Sequence, residues 1–144
     1  MAWGDPVAAD RRGWASTLTV LAVEDDGQQR RYLEELIRGA GHHVLAAETA
    51  GAALRLAAAR PLDLAVVDVF LPDATASELI PVLRAFRPGL PVVTVTGASN
   101  RELELGIRRL GVVCYLAKPI AAAEVLGLLA HLDRRRGGSP GEES

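Results

Sequence analysis

Short apolar runs alternate with stretches of helical period along most of the chain. The runs are LTVLAV (18–23), HVLAA (43–47), LAVVD (64–68), PVVTVT (91–96) and VVCYLA (112–117). Each is too short for a helix of usual length, and several are apolar throughout, as strands buried on both faces are. Between the first two runs Leu33, Leu36, Ile37 and Ala40 fall on one helical face, with Gly41 placed to stop the helix. Thr49 is placed to cap a second helix that runs to Arg60 before Pro61. A third helix is expected over 77–87, starting late or kinked because Pro81 lies inside it. A fourth runs from about Ser99 to Leu110 and the last covers 121–132. Five strands alternating with five helices predict an α/β fold, a doubly wound parallel sheet covered on both faces. Ligands of such sheets sit beyond the C-terminal ends of the strands.

Composition narrows this picture. The 144 residues are 49% apolar and 24% charged, as in a soluble globular domain. A net charge of −2 supplies no basic footprint, and 4% aromatics supply no base-stacking platform, so no nucleic-acid partner is expected. Cys114 is the single cysteine, which leaves no internal disulfide and suggests a reducing, cytoplasmic setting. No run reaches the roughly 18 apolar residues of a membrane span, and the N-terminus lacks an apolar signal core, so no membrane association is expected. Residues 1–16, with Gly4, Pro6 and Gly13, read as a flexible arm, 17–133 as one domain, and 134–144 (RRRGGSPGEES) as a disordered tail.

The polar residues at the strand ends carry the chemistry. Glu24 and Asp25 end the first strand, Asp68 the third and Thr96 the fourth, while Lys118 follows the fifth. In a parallel sheet all five reach one edge. Three crowded carboxylates repel unless one is protonated or a cation intervenes. Mg²⁺ suits such a site, since it takes a few carboxylates, phosphate oxygens and waters. A carboxylate held there can act as a nucleophile and form an aspartyl phosphate. Metal, ammonium and hydroxyl would then supply positioning and charge neutralisation for phosphoryl transfer.

The segments VEDD (23–26), VVDVFLPD (66–73), VVTVTGA (92–98) and YLAKP (115–119) together resemble the response regulator receiver domain of two-component signalling, from about Thr17 to Leu132. The resemblance implies a flavodoxin-like sheet in the order 2-1-3-4-5. It implies Asp68 as the phosphoacceptor and Glu24, Asp25, Asp68 and the Phe70 backbone carbonyl as Mg²⁺ ligands. Asp26 is then a lesser third acid. Thr96 and Lys118 would stabilise the phosphoryl group, Thr96 and Tyr115 would form the switch, and the bond before Pro119 would be cis. The expected partner is a sensor histidine kinase or histidine phosphotransfer protein, with a downstream protein of unknown identity. As the chain ends soon after the last helix, a stand-alone receiver in the cytoplasm is the expectation. It would be no enzyme in the ordinary sense, although it would promote its own phosphorylation and dephosphorylation.

Two departures stand out. Ala76 occupies a place where the family usually has glycine, and alanine would be strained if the backbone there needs a positive φ. Phe70 and Ala98 flank the site at positions that tune phosphoryl lifetime in relatives. A haloacid-dehalogenase-like phosphatase would want a second aspartate at position 70, where this chain has Phe70. A receiver-like interaction module that works without phosphorylation is the other alternative. Leu105 and Leu126 fall off the apolar faces of the last two helices and mark a candidate partner or homodimer surface around the fourth helix, fifth strand and fifth helix. The pair His42–His43 and Cys114 read as structural, and Arg134–Arg136 as a solvated helix end.

Overall fold

Every residue of β3 (Leu64–Asp68) and β4 (Val92–Thr96) is buried, as unbroken apolar runs require at the centre of a parallel sheet. The computed structural model describes residues 17–97 and 101–143. Residues 1–16, expected to form an arm, and Ala98 lie outside the described residues. Around the central pair lie β1 (Thr19–Val23), β2 (His43–Ala47) and β5 (Cys114–Ala117), in the order β2-β1-β3-β4-β5. All four pairings are parallel. The order reverses between β1 and β3, so their C-terminal ends flank the crevice where such folds bind ligands.

Five helices follow the strands: α1 (Gly27–Gly39), α2 (Ala50–Ala59), α3 (Ala76–Phe86), α4 (Arg101–Arg108) and α5 (Ala122–Glu143). Strand alternation sends Leu21, Val23 and Val67 into one core, with Leu79, Leu83 and Ile107 from the helices. Val20, Ala22, Val66 and Val93 face the other, with Leu33 and Ile37 of α1 and Val125 and Leu129 of α5. The fold is thus a three-layer sandwich with two apolar cores.

Local chemistry sets the helix ends. Gly41 stands at φ +93, and α1 closes with the Gly41 N–H donating to Arg38 O and the His42 N–H to Ile37 O. That pairing is a Schellman motif, which favours glycine at this position. Ala40 caps the helix and is exposed, so it leaves the apolar face that its spacing suggested.

Three expectations change around α3 and β5. The third helix begins at Ala76, earlier than the period over 77–87, because Thr75 and Glu78 form a capping box that fixes its first turn. Pro81 does not delay this start. It costs the Ser77 carbonyl its donor, and both residues are exposed, so water can replace the bond. Ala76 is not strained: no non-glycine residue described has positive φ, and its methyl is buried in the α2–α3–α4 core. The fifth strand starts at Cys114, two residues later than the apolar run, with Val113 half exposed at its entrance.

The helix α5 continues through Glu143, into the segment that the sequence marks as a tail from residue 134. Its contacts with the core come from Val125, Leu128, Leu129 and Leu132, whose apolar spacing ends at Leu132.

Candidate functional site

The sheet brings Glu24, Asp68 and Lys118 into direct contact. Glu24 directly follows β1, and its N–H donates to Ala47 O at 3.0 Å, continuing the ladder to β2. Its carboxylate is almost fully buried. Oε2 accepts the Asp26 N–H at 3.0 Å, and Oε1 lies 2.8 Å from Lys118 Nζ. Asp68 closes β3, with Oδ1 accepting the Phe70 N–H at 3.1 Å and Oδ2 lying 2.8 Å from the same ammonium. Lys118 is carried past β5, where its own N–H donates to Thr96 O at 2.9 Å. The Lys118–Pro119 peptide bond is cis.

Asp25 is exposed beside this pair. One carboxylate oxygen from each of Glu24, Asp25 and Asp68 lies within 4.8 Å of the others. Asp26 instead caps α1, its Oδ1 accepting the N–H groups of Gln28 and Gln29 at 3.0 Å each. Arg30, on the next turn of α1, donates to Glu24 O at 3.0 Å and holds the backbone between the two acids.

Electrostatics follow from burial and crowding. Burial pushes the Glu24 carboxyl up to about 7; its bond to Lys118 opposes the rise and the neighbouring Asp68 adds to it. Burial disfavours the Lys118 ammonium, but its bonds to Asp68 and Glu24 outweigh that and raise its pKa above the ordinary lysine value. One ammonium therefore serves two buried carboxylates, with a third acid at the rim. A hard divalent cation with oxygen ligands fits that excess of negative charge, because binding would displace the Glu24 proton and engage all three acids.

Thr96 is buried at the end of β4, paired with Ala117. Tyr115 is half-buried on β5, directly across from Thr94, with the Arg108 guanidinium 5.9 Å from its ring centroid. Phe70 is 51% exposed, and its backbone bridges to Thr75. Leu105 and Leu126 are exposed at 43% and 40%, as their phase required. His42 has a structural role, its Nδ1 accepting the Leu18 N–H at 3.0 Å at the start of β1. Cys114 is partly buried and packs against the α1–α5 core.

Three participants are not evident from sequence pattern alone or were not drawn from it. Asp73, beyond β3, accepts the N–H groups of Ala50 and Gly51 at 2.8 and 3.0 Å, capping α2 from another loop. These bonds hold its carboxyl below the usual range. Arg84 of α3 donates to Leu90 O, Leu110 O and Gly111 O, tying α3 to the segment after α4. Both reach partners distant in sequence, which no local pattern signals. The third, the capping box, was legible, since Thr75 and Glu78 have its T-x-x-E spacing.

Comparison with known proteins shows the family and the fold. The family model of the response regulator receiver domain matches residues 20–130. The chain belongs to the response regulator receiver domain family. Among curated relatives, the response regulator protein FleR of Pseudomonas aeruginosa is 36% identical over 86% of this chain and 26% of its own length. The DNA-binding transcriptional regulator NtrC of Rhizobium meliloti is 32% identical over 77% of this chain and 23% of its own. The chain thus spans about a quarter of these two relatives. A CheY-like receiver domain protein from Methanospirillum hungatei superposes with a TM-score of 0.79 at 26% identity, covering 86% of this chain and 99% of that one. A response regulator from Burkholderia pseudomallei, solved with a phosphorylated aspartic acid, a calcium ion and citrate, shares the fold at 24% identity. Its TM-score is 0.72, over 88% of this chain and 73% of that one. This receiver has no helix among its described residues long and apolar enough to cross a membrane.

Proposed function

We propose that this receiver accepts a phosphoryl group on Asp68 from a sensor histidine kinase or a histidine phosphotransfer protein, in a Mg²⁺-dependent reaction. The observation that carries this reading is Lys118 Nζ, 2.8 Å from both Glu24 and Asp68 at the mouth of a three-carboxylate cluster. Glu24, Asp25, Asp68 and the Phe70 carbonyl would hold the metal, which when bound would neutralise charge on the phosphoryl oxygens. Asp68 provides the nucleophilic oxygen: an O–P bond forms on its carboxylate as the N–P bond of phosphohistidine breaks, and the histidine nitrogen leaves with the electron pair. Lys118 and Thr96 stabilise the transferred group. Lys118 is already on the acceptor, so little reorganisation is needed. Among the structural neighbours, the Burkholderia protein carries a phosphorylated aspartic acid.

Phosphorylation would shift a two-state equilibrium through Thr96 and Tyr115 and alter the face built from α4, β5 and α5. Leu105 and Leu126 lie exposed on α4 and α5, as does Val113 before β5, and would contact a downstream protein or a second copy of the chain. Leu105→Gln with Leu126→Gln should leave the melting temperature unchanged and weaken that association.

Intact mass after incubation with phosphoramidate, with and without Mg²⁺, tests the central claim. A single phosphoryl addition to wild type that needs Mg²⁺, and is absent from Asp68→Asn, is the expected result. Folded, Mg²⁺-saturated protein that takes up no phosphoryl group would instead favour an interaction module that works without phosphorylation.

A further inference from the structure

The loop between β3 and α3 is closed on itself by backbone hydrogen bonds. Its base closes where the Ala76 N–H donates to Val69 O at 2.9 Å and where Phe70 bridges to Thr75. Its interior closes where the Leu71 N–H donates to Ala74 O at 3.0 Å. The Phe70 side chain is half exposed and so contributes little to holding its own backbone. What orients that backbone on the site side is the Phe70 N–H bond to Asp68 Oδ1.

At the far side of the loop stands Asp73. Its two oxygens take two different N–H groups, Oδ1 that of Ala50 at 2.8 Å and Oδ2 that of Gly51 at 3.0 Å. These donors belong to the first turn of α2, where N–H groups have no partner within the helix. The helix's own cap, Thr49, satisfies only Ala52, at 3.0 Å. Asp73 is solvent-exposed, so burial does not dictate its place; two charge-assisted bonds do. The turn it grips is also fastened to the other acidic loop. Ala47 O accepts the Glu24 N–H, and Glu48 lies 3.9 Å from Arg30, which in turn holds Glu24 O. The turn from β2 to α2 supplies no carboxylate to the cluster, yet it joins the two loops that do.

We infer that Asp73 is a positioning residue for the metal site: by clamping the loop after β3 to the N-terminus of α2, it fixes the direction of the Phe70 carbonyl. This rests on the reading of Phe70 as a metal ligand proposed above. Asp73 touches neither metal nor phosphoryl group and acts through the backbone that carries Phe70.

Titration calorimetry of Mg²⁺ binding, set beside the melting temperature without metal, separates positioning from stability. Asp73→Ala should bind Mg²⁺ on the order of ten-fold more weakly, the scale on which groups that orient metal ligands act. Asp73→Asn keeps one acceptor oxygen and should recover part of that loss. Thr49→Ala removes the cap of the same helix without releasing the loop. It should lower the melting temperature and leave Mg²⁺ affinity unchanged. Wild-type affinity in Asp73→Ala overturns the inference, as does an equal loss in Thr49→Ala. An Asn variant no better than the Ala variant assigns the effect to lost charge and overturns it too. Should Asp73→Ala not fold, Asp73→Asn against Thr49→Ala decides: weaker binding in the former alone supports positioning, and equal affinity refutes it. A wild type that binds no Mg²⁺ removes the metal reading itself, and this inference with it.

Discussion

Lys118 Nζ reaches Asp68 Oδ2 at 2.8 Å across 50 residues of sequence, and the same nitrogen meets Glu24 at an equal distance. With the two carboxylates buried and the lysine side chain 16% exposed, this contact is a structural support as well as a chemical one. Removing the cation would leave two desolvated acids facing each other. Lys118→Ala should therefore lose on the order of 2–4 kcal/mol at about pH 8 without metal. The loss should shrink near pH 5.5, where the Glu24 carboxyl takes up a proton. Denaturant melts at the two pH values measure it, and an equal loss at both would show that packing of the lysine stem, not charge, carries the effect.

The Glu24 carboxyl ties stability to pH and metal. In the unfolded chain it titrates at its ordinary value of 4.5; in the fold it is raised to about 7. Between these values the folded protein holds a proton that the unfolded chain has released. The contribution is complete below about 4.5 and is lost as pH rises through 7. Metal-free protein should thus lose stability from this group between pH 5 and 8, by roughly the linkage expected for one proton. Mg²⁺ competes with that proton, so its increase in melting temperature should be larger at about pH 8 than at about pH 5.5. Thermal melts with and without Mg²⁺ would reveal this, and an increment independent of pH would count against Glu24 as a ligand.

Thr94 presents a buried hydroxyl on β4 with no hydrogen-bond partner among the described residues. A polar atom left so costs stability, and valine fills the same volume without it. Thr94→Val should gain about 1–2 kcal/mol in denaturant melts. A less stable variant would mean that the hydroxyl is satisfied, for instance by an enclosed water.

Phe70 lies half exposed two residues past Asp68. If Asp68 is the acceptor, as proposed, the ring would impede water approaching the aspartyl phosphate. Phe70→Asn should shorten the half-life of phosphorylated protein by about two- to five-fold, the effect of roughly 0.4–1 kcal/mol of shielding. Following the decay of the phosphorylated mass would decide, and equal half-lives would dismiss the ring as a shield.

The parallel sheet and the meeting of the site's residues at one edge were legible because both follow from periodicity, whereas the strand order came only from the resemblance to receiver domains. Apolar runs with no polar face fix a parallel sheet, and the acids and lysine that end those runs must share its edge. Asp68 and Lys118 were found that way. Legibility failed where one residue answers to a distant one. Asp73 looks like an ordinary loop acid until α2 is placed beside it, and Arg84 looks like a surface cation until the end of α4 arrives. Pro81 misled for a related reason. Its cost inside a helix depends on whether the carbonyl it orphans is wet, and exposure is a property of the packed molecule. Ala76 misled because its backbone requirement was borrowed from relatives, whereas here the capping box draws it into the helix.

The site's parts leave the ribosome in sequence order, and the strand that arrives last, β5, is also an edge strand. Glu24, just past β1, and Asp68, at the end of β3, are synthesised early, and those two strands can pair before the last quarter of the chain exists. Their shared counter-charge comes with Lys118, after β5, which joins the sheet on one side only, against β4. A nascent chain halted before that strand would carry its acids uncompensated, and the docking of one edge strand would complete the sheet and bring the acids their lysine in a single event.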